Sequence, residues 1–477
     1  MKIKFQLLLT LAIVCHQVLL AQLPYTEKQF AVSVENDIPY GTATTFAGGN
    51  ESLVLDLYKP IGDGNCQRPL LVMAHGGGFI VGTKNDYDVV QICQEMAARG
   101  YVAASVHYRL GVHPTNFYVP YALCNDWLNP IGINKCIYAT DTLEIVRALY
   151  RATQDVKGAI RFLKGRHGLD STDVHNVFVG GSSAGAITAL NVTFMDLPSE
   201  KPAFAGAQTD APLPDDDLAS CVPAPANRSR PDLGGIEGDQ NLNGHDAEVQ
   251  GVADFMGGMF DLGLLAGPDT PAIYLYHRTD DLVVPSNTAP LFEIYPYCLN
   301  PVNLCQPLYT RPVIHGSEAI RNALNGMGAA APPFFSVILD STGPAGSDDC
   351  FDNPPGHSIE NIPLRCEFLS GFFAPIIAAN GNDPAVNLCV SATHFAQPEF
   401  RLNVYPNPVA HGQLNVTCAN CPAPEATFRL LDIMGRTVAE ARGTPTGFSW
   451  NLAEIPAGAY FLQVFSEGMN EVRRVRF

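Results

Sequence analysis

The sequence is poor in charge, and above all in positive charge. Only 16% of the 477 residues are charged, and 29 lysines and arginines stand against 47 aspartates and glutamates, so the net charge is −18. A phosphate backbone would on average repel such a chain, which excludes nucleic acid as an expected partner. No low-complexity tract occurs and 47% of the residues are hydrophobic, so the composition indicates a globular protein of roughly two or three domains.

The start of the chain has the pattern of an export signal. Two lysines in the first four residues precede an apolar run at 5–14, and Ala21 is a small residue at a possible cleavage point. We therefore expect a signal peptide over residues 1–21. A lipoprotein signal fits less well, because a bulky residue precedes Cys15. No later stretch approaches about 18 apolar residues, so no transmembrane segment is expected.

Removal of the signal would leave an even number of cysteines in an exported chain, and such chains commonly form disulfides. Neighbouring positions give the candidate pairs, and the remaining cysteines would form longer links, although sequence alone does not fix the connectivity. The pairs are Cys124 with Cys136, Cys298 with Cys305, Cys350 with Cys366, and Cys418 with Cys421, which leaves Cys66, Cys93, Cys221 and Cys389.

From residue 51 to residue 380, short apolar runs alternate with stretches of helical periodicity. The runs predict strands covered on both faces, and the stretches at 89–98 and 143–163 predict helices packed against them. This alternation is typical of an α/β domain with a mostly parallel central sheet. The predicted strands are Leu53–Tyr58, Pro69–Ala74, Val102–Val106, Val177–Gly180, Val252–Met256, Ile273–Tyr276 and Phe335–Leu339.

Three connections are unusually long, near residues 112–139, 212–250 and 285–332. Long connections in α/β enzymes are commonly lids or substrate-binding surfaces, and surface decoration is the alternative. The second contains an Asp-x-Asn-x-Asn-Gly pattern from Asp239, which is similar to the start of a calcium loop. Position twelve would be Gln250 instead of a bidentate glutamate, so no metal ion is expected there.

Near residue 397 the pattern changes to short alternating runs separated by turn residues. This predicts a first domain over 22–396 followed by a small all-β sandwich over 397–477. Four motifs occur in order in the second domain: Tyr405-Pro406-Asn407-Pro408, Asp432-Ile433-Met434-Gly435-Arg436, Ile455-Pro456-Ala457-Gly458-Ala459-Tyr460 and Arg473-Arg474-Val475-Arg476-Phe477.

These motifs resemble the C-terminal sorting domain of type IX secretion cargo. The resemblance implies passage through the periplasm and release from, or attachment to, the cell surface, with the type IX secretion machinery as a partner. It further implies that the domain is cleaved or used for attachment. A carbohydrate-binding or adhesive β-domain is the alternative.

The sequence Gly181-Ser182-Ser183-Ala184-Gly185 follows a predicted strand. A nucleophile at a tight strand-to-helix turn needs small neighbours, because larger side chains would collide with the adjacent strand or helix. Ser183 fits this position. The amide of Ala184 would open a helix, where developing negative charge is stabilised.

A second glycine-rich sequence, His-Gly-Gly-Gly-Phe at 75–79, follows another predicted strand. Backbone N–H groups can reach an oxyanion only where no side chain blocks the approach. The expected oxyanion-hole donors are therefore the backbone amides of Gly77, Gly78 and Ala184, with that of Gly76 as the alternative. A phosphate-binding loop is the alternative, but the lysine and the Ser or Thr of that motif are absent. His75 is expected to support the loop.

A serine nucleophile needs a base, and a neutral imidazole oriented by a carboxylate provides one. In this kind of sheet the order along the chain is serine, acid, histidine. Asp281 follows the predicted strand 273–276 and is the expected acid, with Asp280 as the alternative. His357, on a glycine-containing turn after the last predicted strand, is the expected base.

Together these motifs, with the sequences at 105–111 and 154–163, resemble the carboxylesterase and feruloyl-esterase-like branches of the α/β-hydrolase superfamily. The resemblance covers most of residues 50–380. It implies an α/β-hydrolase fold and a secreted serine esterase without metal or organic cofactor, acting through an acyl-enzyme on acyl, feruloyl or acetyl esters. Ser182 departs from the acidic residue of type B carboxylesterases, which leaves the substrate open. A prolyl-peptidase-like enzyme and a catalytically silent binding module are the alternatives.

Overall fold

The computed structural model describes residues 23–112, 142–209, 229–267, 270–292, 312–340, 354–382, 401–410, 412–419, 425–432, 436–466 and 469–477. The chain divides into two compact units, over 1–389 and 390–477. The expected signal peptide and nearly all of the first long connection lie outside the described residues. The boundary between the two predicted domains, near residue 397, stays a prediction.

An eight-stranded sheet forms the centre of the first unit, in the order β1-β2-β4-β3-β5-β6-β8-β11, and a small antiparallel sheet contains β7, β10 and β9. The strands are β1 (Ala31–Thr44), β2 (Asn50–Ile61), β3 (Arg68–Ala74), β4 (Val102–Val106), β5 (Thr172–Ser182), β6 (Gly251–Phe255), β7 (Gly258–Met259), β8 (Ala272–Arg278), β9 (Thr288–Pro290), β10 (Val313–Gly316) and β11 (Phe334–Leu339). From β4 to β11 the neighbours in the large sheet are parallel, and β1 and β2 are antiparallel. The predicted mostly parallel sheet is confirmed.

Helices cover both faces of this sheet: α1 (Tyr87–Ala97), α2 (Thr142–Gly165), α3 (His167–Asp170), α4 (Ala184–Phe194), α5 (Ser317–Met327) and α6 (Ile362–Ala379). Side chains of β3 alternate between two core clusters, because Val72 packs with α2 and α4 while Leu71 and Met73 pack with α1 and α6. Both faces are therefore buried, which explains the uninterrupted apolar runs in the sequence.

Helix α6 is long and apolar enough to cross a membrane by length and composition alone. In this fold its Leu369, Phe373 and Ile377 are buried in the cluster shared with α1. Its hydropathy is thus that of a helix with one face in a protein core.

Part of the long connection predicted at 285–332 is regular structure. Residues 313–316 form β10, and residues 317–327 form α5, which lies between β8 and β11 along the chain and contacts both. The expectation of an insertion is therefore wrong for α5. This helix provides the crossover that two parallel strands require.

The second unit is an all-β domain with two antiparallel sheets, of order β12-β13-β16 and β15-β14-β17-β18. Its strands are β12 (Arg401–Ala410), β13 (Gln413–Ala419), β14 (Ala426–Leu431), β15 (Thr437–Gly443), β16 (Phe448–Asn451), β17 (Ala459–Ser466) and β18 (Met469–Arg476). Leu414 and Val416 from one sheet share a buried core with Phe428 and Leu462 from the other. This confirms the expected all-β architecture.

Two of the predicted cysteine assignments are wrong. Cys93 in α1 and Cys366 in α6 are free thiols buried in the core, so Cys366 is not paired with Cys350 and Cys93 forms no long link. Burial raises the pKa of the Cys366 thiol to about 12. Cys66 and Cys418 are disulfide-bonded. Their partners lie outside the described residues, so the pairing of Cys418 with Cys421 stays a prediction.

Candidate active site

Ser183 lies at a sharp corner between β5 and α4. Its backbone has φ 54° and ψ −123°, a conformation rarely adopted by non-glycine residues, and its amide donates to the Phe255 carbonyl at 2.8 Å. A Cβ atom on Gly181 would lie 2.3 Å from the Gly185 carbonyl carbon, and one on Gly185 would lie 2.1 Å from the Ala74 carbonyl oxygen. Side chains at these two positions would push the corner apart.

The structure brings the three predicted residues together. The Ser183 Oγ and His357 Nε2 atoms are 2.8 Å apart, and His357 Nδ1 is 2.8 Å from Asp281 Oδ2. His357 follows Gly356, whose φ is 76° and where a Cβ atom would lie 2.4 Å from the Asp280 carbonyl carbon. Only a glycine lets this turn approach the Asp281 loop so closely.

The two neighbouring aspartates have different partners. Asp281 accepts from His357, whereas the Asp280 carboxylate accepts from the Arg278 guanidinium at 3.0 and 3.2 Å. The structure therefore places Asp281, and not Asp280, against the histidine.

The glycine loop after β3 lies beside Ser183. A Cβ atom on Gly76 would be 3.2 Å from the Ser183 Cβ atom, and Gly77 has a φ of 106° that other residues rarely adopt. Among the described residues, the amides of Gly77, Gly78 and Ala184 donate to no backbone carbonyl. The predicted oxyanion donors thus include amides that are not used by the fold.

His75 is buried under this loop and away from the base position. Its ring stacks on Tyr108 with ring centroids 4.4 Å apart, and its Nδ1 atom is 2.7 Å from the Gly76 carbonyl oxygen, to which it donates. Burial lowers the pKa of His75 to about 4. The side chain is therefore neutral at neutral pH and supports the loop.

The order of these features along the sheet decides the fold. Ser183 follows β5, Asp281 follows β8 and His357 follows β11, so the three groups come from the same edge of a mostly parallel sheet. A serine elbow followed by acid and histidine in this order defines one architecture. The fold is that of the α/β-hydrolases.

Comparisons with known proteins match two separate parts of this chain. Residues 55–123 match the family model BD-FAE, and residues 403–476 match the model of the secretion system C-terminal sorting domain. The second match indicates a secreted protein or one attached to the cell surface. No curated protein matches the chain.

Several solved structures are similar at low identity. Thermogutta terrifontis esterase 2 phosphorylated by paraoxon is 14% identical, with 74% of this chain and 96% of that chain covered and a TM-score of 0.37. A truncated carbohydrate esterase from gut microbiota is 15% identical, with coverages of 74% and 99% and a TM-score of 0.36. Esterase B from Lactobacillus rhamnosis is 14% identical, with coverages of 80% and 97% and a TM-score of 0.38. These low identities and TM-scores assign no function to this chain.

The carboxylate of Asp281 is fully buried, and both of its oxygens face hydrogen-bond donors. Its Oδ1 atom accepts from the amides of Val283 at 2.8 Å and Val284 at 3.0 Å, and its Oδ2 atom faces His357 and His277. Burial alone would raise the pKa of Asp281, but the charge of His357 and hydrogen bonds from both histidines lower it to about 2. The group is therefore ionised at neutral pH.

A second buried histidine behind Asp281 was missed by the sequence analysis. The Nε2 atom of His277 is 3.3 Å from Asp281 Oδ2 and 2.9 Å from the Val284 carbonyl oxygen. Its Nδ1 atom is 2.7 Å from Ser317 Oγ, which is 2.7 Å from Asp254 Oδ2. The only sequence signal was a histidine at the end of an entirely apolar strand, four residues before the acid.

Two titrating groups, His277 and Asp254, set the hydrogen positions in this buried series. The Nε2 atom of His277 faces only acceptors, so it carries a hydrogen. The single hydroxyl hydrogen of Ser317 goes either to Asp254, which leaves His277 positively charged, or to His277, which requires a protonated Asp254. Burial raises the pKa of Asp254 to about 6. Burial lowers the pKa of His277, but hydrogen bonding and charge from Asp281 raise it above its ordinary value.

We expect Asp254→Asn to change how stability depends on pH. The folded-state pKa of about 6 exceeds the unfolded value of 3.8, so between about pH 4 and pH 6 Asp254 is protonated in the folded chain and ionised in the unfolded chain. Ionisation of Asp254 therefore lowers the free energy of unfolding of the wild type as pH rises. Asp254→Asn cannot ionise at this position, so its free energy of unfolding lacks this decrease. From about pH 4 to pH 6, the free energy of unfolding of the variant should therefore rise by roughly 2 kcal/mol relative to that of wild type.

The measurement is urea unfolding followed by the helical circular-dichroism signal, which reports the first unit. Glu318→Gln provides a control, because Glu318 is a partly exposed carboxylate of α5, the helix that contains Ser317. An identical pH dependence in wild type and Asp254→Asn would contradict the raised pKa of Asp254.

The residues described by the structure contain no group of three or more His, Cys, Asp or Glu side chains placed to hold a metal ion. In the pattern similar to a calcium loop, the Asn241 amide donates to the carbonyls of Tyr40 and Gly158, and the Asn243 amide donates to Arg161. These amide N–H groups therefore anchor the segment to β1 and α2.

Proposed function

We propose that this chain is a carboxylic ester hydrolase that works through an acyl-enzyme on Ser183. The observation that carries the proposal is the unbroken hydrogen-bonded series from Ser183 through His357 to a buried Asp281, with 2.8 Å at each link. A serine hydroxyl becomes an effective nucleophile only when a base of this kind takes its proton.

In the first half-reaction, the Ser183 oxygen attacks the ester carbonyl carbon while His357 Nε2 accepts the hydroxyl proton. The carbonyl oxygen becomes an oxyanion that accepts from the free amides of the glycine loop and of Ala184. When the intermediate collapses, the bond to the alcohol oxygen breaks and His357 returns its proton to that oxygen. Asp281 stays ionised and stabilises the imidazolium.

In the second half-reaction, a water molecule replaces the alcohol. His357 takes a proton from the water as its oxygen attacks the acyl carbon, and the tetrahedral intermediate forms at the same oxyanion donors. Collapse releases the carboxylic acid, and the proton returns to Ser183. Each cycle therefore consumes one ester and one water and leaves the protein unchanged.

The place of action follows from the second unit. The match at residues 403–476 to a secretion system C-terminal sorting domain supports export, and we propose the type IX route through the periplasm. Esters outside the cell, including acetyl and feruloyl esters of polysaccharides, are the proposed substrate class.

An ester panel tests the proposed activity. Protein over residues 22–477 should hydrolyse p-nitrophenyl acetate well above the buffer rate, and comparison with longer acyl chains, methyl ferulate and acetylated xylan ranks the acyl groups. A proline p-nitroanilide should not be cleaved. Paraoxon should leave one diethylphosphoryl group per chain, which peptide mass spectrometry should place on Ser183. No ester turnover, or an adduct on another residue, would refute the proposal.

A further inference from the structure

A cavity of about 690 Å³ lies in the first unit between the β1–β2 hairpin, helix α2 and the segment after residue 229. Its volume is within the range of small-molecule sites. The lining contains neither Ser183 nor His357 nor Asp281, so this cavity is separate from the candidate active site. Hydroxyl and amide side chains lining it include Thr42, Thr44, Thr45, Asn50 and Gln154.

The walls of the cavity hold an excess of buried positive charge. Arg147 and Arg151 are one turn apart on α2, and both line the cavity. Two nearby guanidinium groups are paired: Arg109 with Asp155 at 2.7 Å, and Arg230 with Glu144 at 2.8 Å. Four arginines are therefore grouped with two buried carboxylates.

The two arginines on α2 have only neutral partners among the described residues. Arg147 donates to the carbonyls of Phe204, Gly206 and Pro231 at 2.6 to 2.9 Å. Arg151 donates through one Nη atom to the Gly111 carbonyl at 2.8 Å, and its buried Nε atom has no hydrogen-bond partner within the described part of the chain.

Burial makes this arrangement of charges costly. Only 2% of Arg147 and 3% of Arg151 is exposed, and burial lowers the pKa of Arg151 to about 10, so it remains charged at neutral pH. A buried charge without a counter-ion and a buried donor without an acceptor are both unfavourable. Of the two carboxylates on the rim, Asp232 pairs with Lys201 at 2.6 Å, and Asp239 is exposed and accepts from Gln240.

We propose that this cavity binds a polyhydroxylated organic carboxylate of the size of a sugar acid. A planar carboxylate matches the fork of a guanidinium group and would supply the missing negative charge. The hydroxyl and amide side chains of the lining would pair with the ligand hydroxyl groups. The cavity volume leaves room for a ring that an inorganic anion would not fill.

The site is connected to the loop beside Ser183 through one residue. The carbonyl of Gly111 accepts from Arg151, and the amide of Gly111 donates to the Phe79 carbonyl at 2.7 Å. Phe79 directly follows the triple glycine. A bound carboxylate would therefore hold Arg151 and, through Gly111, the end of this loop.

Binding should be measured on Ser183→Ala by titration calorimetry, so that the result does not depend on ester hydrolysis. Sodium glucuronate is the probe, and methyl glucuronate, glucose and sodium sulfate are the comparison ligands. We expect one glucuronate per chain, with an affinity at least about tenfold above that of each comparison ligand, since loss of the charged pair is worth that factor or more.

Arg151→Gln should weaken glucuronate binding by at least about tenfold, whereas Arg166→Gln, beyond the end of the same helix and outside the cavity, should bind as the parent does. Hydrogen exchange on the unaltered chain locates the ligand without any substitution in the cavity. Glucuronate should protect residues 42–50 and 145–155, and not 354–358. Equal binding of the neutral ligands or of sulfate, unchanged binding in Arg151→Gln, or protection at the wrong place would overturn the proposal.

Discussion

Replacing Ser183 by alanine should lower kcat/KM for p-nitrophenyl acetate by about 10⁴- to 10⁶-fold. The alanine has no oxygen to form the acyl-enzyme, and His357 loses the group whose proton it takes. His357→Ala should lose a similar factor. The double variant should lose little more, because the two residues act as one unit. Initial rates of the three variants and wild type measure this directly.

The matched control for this prediction is the neighbouring serine. The Ser182 hydroxyl donates to the Asp88 carboxylate of α1 and not to His357. Ser182→Ala removes this buried hydrogen bond, which should lower the free energy of unfolding by about 1 to 3 kcal/mol. It should leave kcat/KM within about tenfold of wild type. Equal losses in the two alanine variants would mean that Ser183 has no special chemical role.

Asp281→Asn should lower kcat by about 10⁴-fold. The buried carboxylate accepts from His357, His277 and two backbone amides, and only its negative charge suits all of these donors. An asparagine amide favours the imidazole tautomer that carries its hydrogen on Nε2, where it cannot accept the Ser183 proton. Single-turnover kinetics with p-nitrophenyl acetate separate this chemical step from ester binding.

Asp280→Asn is the matched control for the acid. Asp280 is partly exposed and pairs with Arg278, and such exposed pairs contribute at most about 1 kcal/mol. We expect kcat close to that of wild type. A large loss in Asp280→Asn together with an active Asp281→Asn would reverse the assignment of the acid.

The serine corner and the glycine loop could be predicted because their sequence requirements are steric. Gly181 and Gly185 are needed since backbone atoms occupy the space that a side chain would take, and such requirements leave a recognisable local pattern. The sequence analysis favoured Asp281 as the acid but left Asp280 open as the alternative. Both residues follow the same strand, and only the close approach at Gly356 decides which one faces His357.

Features assembled from distant residues were not predictable in this way. His277, Ser317 and Asp254 come from β8, α5 and β6, which are separated along the chain, and nothing local to any of them indicates the others. Helix α5 was not recognised because its apolar face is short, with Ala319, Ile320 and Leu324 as its buried apolar residues. A predicted connection therefore contained a regular crossover.

The contact between Gly185 and the Ala74 carbonyl has a consequence for how this protein can vary. The helix carrying the nucleophile and the strand carrying the oxyanion donors rest on each other through main-chain atoms, with no side chain between them. The distance between α4 and β3 therefore does not depend on side chains elsewhere in the sequence. Loops that contact the acyl and alcohol groups of a substrate can therefore change in sequence while this backbone contact stays the same. New ester preferences can arise in this way without any change in the positions of the groups that break the bond.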